Sequence, residues 1–391
     1  MGDRFFDSPD WRFIITTQEM ETLTLLDRIA SNRTVTVTLN APRIHEGRVP
    51  SDNPKVNIPW TDGYAYLSEG DRFIFGMRRD GSGSMDVWSC RFAGIPMLVG
   101  TAAEQDNAFT RYVAYDPRQM MFKRPVRDGA GTLPGSAGLT FTGATGRDIL
   151  VALLTASELV DGPTWIDYTS SPELNDTDPI AEITFQQGCT VGEAWAELEA
   201  TGTIDTVLTP VFDVAASPVN IVWLETYSQA GIVRNNTIMA WDKPGRNVVA
   251  IDNQRDGSGR ENSIRYHYGQ GGAAAVTKDD AASQTRFGTY FAEKFFPGQT
   301  AQAAVELMAE KALLATANGK RTVVVSPSPQ RAKQPLIDYL PGDRISVNAS
   351  RNLLEQVDTQ QRVLAIPIQI DDNGTEAVSG LLFTDEGWVG S

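Results

Sequence analysis

Reactive side chains are scarce in this 391-residue sequence, which holds two cysteines and two histidines. Cys90 and Cys189 lie 99 residues apart, so they read as small buried hydrophobes and no disulfide framework is indicated. His45 lies in a Pro/Gly/Arg-rich loop. His267 sits in the alternating run Arg265-Tyr266-His267-Tyr268, where a structural strand-face role is expected. Cys/His zinc sites and Cys–His nucleophile pairs therefore have little material. His-Glu-x-x-His, Walker phosphate-loop and Gly-x-Ser-x-Gly motifs are all missing. The glycines at 269, 271 and 272 do not follow a strand–turn–helix with a later acid, which argues against a nucleotide site. No cofactor and no metal is expected. No apolar run reaches about 18 residues, so no membrane span is expected. The start, Met1 to Asp7, lacks the basic-then-apolar pattern of a secretory signal.

Positive charge is absent from one long stretch. Between Asp148 and Val233 there is no Lys or Arg but 14 Asp and Glu, whereas the remainder balances 34 basic against 35 acidic residues. Such asymmetry marks a separate unit and argues against that unit gripping nucleic acid. A merely soluble acidic domain is an equally good account of the charge. Within it, Glu173-Leu174-Asn175-Asp176-Thr177-Asp178 offers oxygen ligands for Ca²⁺ but lacks the EF-hand glycine and terminal glutamate spacing, so a solvated loop is the preferred reading. Paired carboxylates are plentiful, yet glycoside hydrolysis needs them at a fixed separation that no sequence displays. No positive case for an enzyme emerges.

What is present is a folded composition, 41% apolar and 9% aromatic, in a chain long enough for two to four domains. Two stretches carry nearly the same pattern. Tyr66-Leu67-Ser68-Glu69-Gly70-Asp71-Arg72-Phe73-Ile74-Phe75 is followed by Arg91-Phe92-Ala93-Gly94-Ile95-Pro96. Tyr339-Leu340-Pro341-Gly342-Asp343-Arg344-Ile345-Ser346-Val347 is followed by Arg362-Val363-Leu364-Ala365-Ile366-Pro367. Asp71 precedes Arg91 by 20 residues and Asp343 precedes Arg362 by 19. Each copy reads as turn, strand, hairpin-sized gap and second strand, with a proline at the same place. Convergence on a common Gly-Asp turn is the alternative; one β-domain used twice is the reading adopted. Gly70 and Gly342 are the expected turn residues, Asp71 and Asp343 the backbone acceptors, and Arg72 and Arg344 the side chains reaching across strands or subunits. Simply starting a strand is the competing role for all six.

Along the chain, Trp11–Thr16, Thr34–Leu39 and Phe109–Tyr115 predict strands, Glu19–Ala30 a short helix, and Arg79–Gly83 a hairpin turn. Asp128–Gly138 reads as a linker. Gly146–Leu159 predicts a helix with Ile149, Leu150, Leu153 and Leu154 on one face, and Thr190 with Glu193 a capping box before a second helix stopped by Gly202. Val248–Asp252 and Ile264–Tyr268 predict strands flanking an Arg255–Gly259 hairpin turn. A helix capped by Thr300 and ended by Gly319 buries Val305, Met308, Ala312 and Leu313. Arg321–Val325 resumes the strands, and Asn373-Gly374 marks a terminal hairpin. The fold class is α+β, mainly β. It comprises a β-barrel domain over 1–127, an acidic α/β domain over 128–215, and a second β-barrel domain over 216–391 interrupted by a helical insertion at about 270–320.

This arrangement resembles the hub proteins at the tail tip or baseplate of tailed bacteriophages. The resemblance rests on Leu67–Arg72, the split second β-domain with Ser283-Gln284-Thr285-Arg286-Phe287-Gly288 and the helix from Thr300, and Tyr339–Arg344 before the terminal hairpin. It covers most of the chain through short motifs in a fixed order. It implies a non-enzymatic homotrimer in the virion, made in the host bacterial cytoplasm. Two similar barrels per chain then meet the sixfold tail tube or distal tail protein above, while threefold symmetry suits a spike or fibre below. Gly70, Asp71, Arg72, Pro96, Gly342, Asp343, Arg344 and Pro367 become candidates for assembly, around a channel through which DNA passes without sequence-specific binding. A distal ring or glycan-binding tail protein, with Trp165 and Trp388 as sugar platforms, is the alternative. A cell-wall hydrolase is the third.

Overall fold

Runs of β-branched and aromatic residues alternating with polar ones build about half of the described residues into strands. The computed structural model describes residues 11–20, 22–25, 31–40, 42, 44–50, 72–79, 88–104, 107–169, 179–201, 204–212, 220–227, 230–241, 245–269, 272–296, 302–329, 331–349, 357–371, 376–378 and 380–384. The first third gives β1 (Trp11–Thr17), β2 (Thr22–Leu25), β3 (Ser31–Thr38), β4 (Ile44–Pro50), β5 (Arg72–Arg79), β6 (Trp88–Glu104) and β7 (Asn107–Tyr115). The central stretch gives α1 (Arg118–Met121), β8 (Leu139–Thr145), α2 (Gly146–Asp161), β9 (Ile166–Asp167), β10 (Pro179–Phe185), α3 (Val191–Ala200), β11 (Asp205–Pro210) and β12 (Val222–Tyr227). Then come β13 (Val233–Ala240), β14 (Val248–Asp256), β15 (Ser263–Tyr268), β16 (Ala274–Asp279), α4 (Ala281–Phe287), β17 (Phe291–Phe296) and α5 (Gln302–Thr316). The last are β18 (Lys320–Pro327), β19 (Arg344–Ala349), β20 (Val357–Ile370), β21 (Glu376–Val378) and β22 (Leu381–Thr384).

One 14-stranded sheet contains strands from both ends of the chain, in the order β14-β18-β22-β20-β3-β4-β7-β6-β5-β1-β2, with β13, β19 and β21 branching from it. The two ends meet where β20 pairs antiparallel with β3, from Ala365 opposite Thr38 to Ile370 opposite Arg33. Period-two alternation sets this register: Val35 and Val37 face inward beside Ile366 and Ile368, and a one-residue slip of either strand would turn its own pair outward. Trp11, Phe13, Ile74, Phe92, Val323, Ile345 and Phe383 extend the same core, so early and late strands share it. A second core lies between β5–β6, the central stretch and α5, joining Phe73, Phe75, Trp195, Leu153, Ile264 and Met308.

The sheet curls far enough for β5 to meet β21. Arg78, 0% exposed, ion-pairs with Glu376 and donates to the Pro335 carbonyl at 2.8 Å. Trp11 Nε1 donates to the other Glu376 oxygen at 2.8 Å. Burying the guanidinium is tolerated because its two terminal nitrogens find a carboxylate and a carbonyl.

The central stretch carries β8 paired with β10, and β9-β12-β11. Thr145 caps α2 by accepting from the Asp148 amide, and Ile149, Leu150, Leu153 and Leu154 are fully buried along the expected face. Thr190 and Glu193 form the expected reciprocal box at α3. In α5, Val305 and Met308 are buried, while Ala312 and Leu313 are half-buried against the core. Gly319 follows it with φ +81°.

Several expectations give way to tertiary structure. No helix forms at Thr22–Leu25; Met20 turns with φ +67° and β2 pairs with β1, which its threonines favour. His45 lies in β4, between β3 and β7, rather than in a loop. Arg255–Gly259 does not close a hairpin: β14 pairs with β18, while β15 pairs with β16 and β17 in a separate sheet. The insertion is thus α/β, with strands as well as helices. Helix α3 ends on Thr201; Gly202, the Asp80–Gly83 turn, Glu173–Asp178, Thr300, Asn373-Gly374 and Trp388 lie outside the described residues.

Two outcomes follow from this packing. Replacing Arg78 by alanine leaves Glu376 without its cation, and denaturant unfolding should show a loss of about 3–5 kcal/mol. Burial first, then Glu197 and Glu193, push the Cys189 thiol up to about 12. Alkylation at pH 8 should therefore be much slower at Cys189 in the native protein than after unfolding, as mass spectrometry would read.

Candidate functional site

Two backbone segments cross so closely that only glycine fits at the crossing. Gly342 has φ +98°, and a Cβ there would meet the Ala230 carbonyl carbon and oxygen at 3.1 Å. Gly231 has φ +85°, and its Cβ would sit 2.1 Å from the Gly342 carbonyl carbon. Both conformations are strained for any other residue. The crossing is held by main-chain bonds: Gly342 N–H to the Val363 carbonyl (2.8 Å), Val363 N–H to that of Asp343 (2.9 Å), and Arg344 N–H to that of Ile232 (2.9 Å).

Asp343, 2% exposed, organises one side of this crossing. Its Oδ1 accepts from the Ile232 amide at 2.8 Å. Its Oδ2 accepts from the Leu340 amide at 2.9 Å and from Arg234 Nε at 2.8 Å. Arg234 is the first cation after the basic-free window. Asp205, at the start of β11, organises the other side. Its Oδ2 accepts from the Ala230 amide at 2.7 Å and from Arg362 Nη2 on β20. Its Oδ1 accepts from Asn40 Nδ2 at 2.7 Å, and Asn40 Oδ1 in turn accepts from the Thr206 amide at 3.1 Å. Arg362 also donates to the carbonyls of Ala230 (3.2 Å) and Gly342 (3.4 Å). One buried polar joint therefore ties together the end of β3, the acidic stretch and the second repeat copy.

A cavity of about 320 Å³ opens beside the joint, with Val37, Arg91, Val207, Tyr227, Ile232 and Leu340 in its wall. Burial first, then the Glu225 carboxylate that Tyr227 donates to at 2.8 Å, raise the Tyr227 phenol above its ordinary value. No group of three or more His, Cys, Asp or Glu gathers to hold a metal ion among the described residues. No described helix is long and apolar enough to cross a membrane. His267 stacks on Phe295 with centroids 4.5 Å apart and places Nε2 2.5 Å from Glu293 Oε1.

The candidates from the repeat divide accordingly. Gly342 and Asp343 sit in the joint, and Arg344 begins β19 opposite Arg362. Arg72 begins β5 opposite Thr17, Pro96 lies on β6 at a bulge opposite Ala114, and Pro367 lies on β20 opposite Thr36. Gly70 and Asp71 lie outside the described residues. The two hairpins differ in register. Ile74 faces Gly94 in the first, whereas Ser346, its counterpart, faces Gln360. Asn40, Asp205 and Gly231 carry no motif and were not singled out by the sequence. Trp165 is 8% exposed, with its ring edge-on to Phe73, so it offers no open sugar platform.

No known family profile and no curated protein sequence matches the chain. Solved structures do. The tail protein from Neisseria meningitidis MC58 aligns with a TM-score of 0.60 at 12% identity, over 97% of both chains. The 43 kDa tail protein of prophage MuSo2 from Shewanella oneidensis aligns at 0.57 and 13%, over 96% of this chain and 99% of that one. A chain of the half-lidded Francisella PdpA–VgrG complex aligns at 0.54 and 8%, over 97% of this chain and 58% of that one. The chain thus has the fold of phage tail proteins, end to end.

The joint can be tested directly. Asp205→Ala strands Arg362 in a buried site and should cost about 3–5 kcal/mol in denaturant unfolding. Asp205→Leu combined with Arg362→Met should be less destabilised than Asp205→Ala, because the unpaired charge is gone, while the Ala230 amide and Asn40 still lack their acceptor.

Proposed function

We propose that this chain is a structural virion protein, a homotrimeric hub joining the sixfold tail tube of a bacteriophage to its threefold tip. The observation that carries this reading is the end-to-end match to phage tail proteins, at nearly equal chain length. The repeated hairpins, 66–99 and 339–370, give each subunit two related β-regions, so three subunits offer six to the tube. The regions over 1–127 and 216–391 are the tube-like barrels, and 128–215 is the acidic unit. The ring lines or closes the DNA channel and opens for ejection.

The chemistry fits a mechanical task. The buried Asp205 and Asp343 and the half-buried Glu199 and Glu376 each hold an arginine, which uses them as fasteners. Trp165, one of two aromatic candidates for a glycan platform, is buried, which leaves the glycan-binding reading without that support.

Light scattering of the purified protein, with end-on electron micrographs, tests the proposal. A species of about 128 kDa, three times the 42.7 kDa chain, seen as a six-lobed annulus, is expected. A strict monomer at high concentration, with no ring on added tail tube, would overturn it. Gly342→Val should strain the crossing at Ala230 and leave no ring; normal trimers from this variant would rule out a role for that turn in assembly.

A further inference from the structure

The cavity beside the joint has apolar walls and two charged groups with bonding capacity left over. Strands β11 and β12 supply one wall. Their register sets Trp223 opposite Thr209 and Glu225 opposite Val207, and alternation turns these four to one face while Val222 and Leu224 enter the core. Val207, Thr209 and Glu225 line the cavity, and Trp223 stands 43% exposed one pair further along the same row. Across from them Ile232 and Leu340 line the cavity too, 57% and 44% exposed.

Arg234 bonds Asp343 through Nε at 2.8 Å, and among the described residues its Nη1 and Nη2 make no hydrogen bond. Glu225 accepts from the Tyr227 hydroxyl on Oε2 at 2.8 Å, and its Oε1 has no donor among them. Both side chains line the cavity, yet they form no ion pair with each other. The free end of a guanidinium matches a carboxylate, and an open carboxylate oxygen takes an N–H. The aliphatic wall between them suits an apolar side chain. A carboxylate, an adjoining N–H and an apolar side chain together describe the last residue of a polypeptide. A free amino acid offers the same three groups but would leave Trp223, Ile232 and Leu340 bare, whereas a chain continuing outward covers them.

We propose that this cavity captures the carboxy-terminal residue of a partner polypeptide. Arg234 holds its carboxylate, Glu225 accepts its backbone N–H, and Val207, Ile232 and Leu340 surround its apolar side chain. The preceding residues run outward along the row that ends in Trp223. All the walls belong to one chain, so the site needs neither a ring nor a second copy, and its failure would leave the hub reading standing.

Saturation-transfer NMR on the purified full chain tests this, with acetyl-Ala-Ala-Ala-Ala peptides ending in Val, Leu, Ile or Phe as probes. A free carboxylate should give saturation at the terminal side chain, and amidation should raise the Kd about tenfold or more. Arg234→Gln should erase the difference between acid and amide. Because that variant also frees Asp343, Val207→Trp is the second: it fills the cavity and should abolish binding while circular dichroism stays that of the wild type. No saturation at about 5 mM peptide would overturn the site. So would equal binding of the amides, or undiminished binding by folded Val207→Trp. Free leucine binding as tightly as the peptides would overturn the polypeptide as occupant.

Discussion

Arg362 cannot be buried without a carboxylate, and the carboxylate that meets it comes from a different part of the chain. Asp205 belongs to the acidic stretch, yet it sits against β20, within reach of Asn40 at the end of β3. The desolvation of a guanidinium is worth several kcal/mol, so this one contact fixes where the acidic stretch lies on the large sheet. Ala230, Gly231 and Gly342 are then brought together tightly enough that no side chain fits between them. Asp343 completes the arrangement by holding Arg234 and two backbone amides.

The second constraint is the pairing of β3 with β20. It places strands from the two ends of the chain in one sheet, where hydrogen bonds and a shared core make them cooperative. Such continuity ties the two β-regions into one body, because separate barrels on linkers would move independently. Pro96 and Pro367 fit within this frame despite lacking an amide. Pro96 sits at a bulge, where ladder bonding is already interrupted.

Much of the local structure was legible. The capping box at Thr190, the apolar stripe of α2 and most of the strands follow from periodicity and side-chain stereochemistry over a few residues. Pairing was not. Arg255–Gly259 has the composition of a hairpin turn, and the Asp256 side chain does bond Ser258, but β14 finds its partner across the whole insertion. Thr22–Leu25 became a strand because an edge of β1 was available to pair with, a fact no local window contains.

By itself, the sequence determined most of the strands and helices, which face of the long helices is apolar, and that positive charge is missing from one stretch. Those properties are set by neighbours within a turn or two of the chain. Tertiary structure alone decided the register difference between the repeats, the burial of Trp165, and the meeting of Asn40, Asp205, Arg362 and Gly342. The last of these depends on contacts between residues more than 100 positions apart, such as Asp205 with Arg362 at a separation of 157. Such contacts are selected by packing and desolvation, which act on surfaces that exist only once the chain has folded.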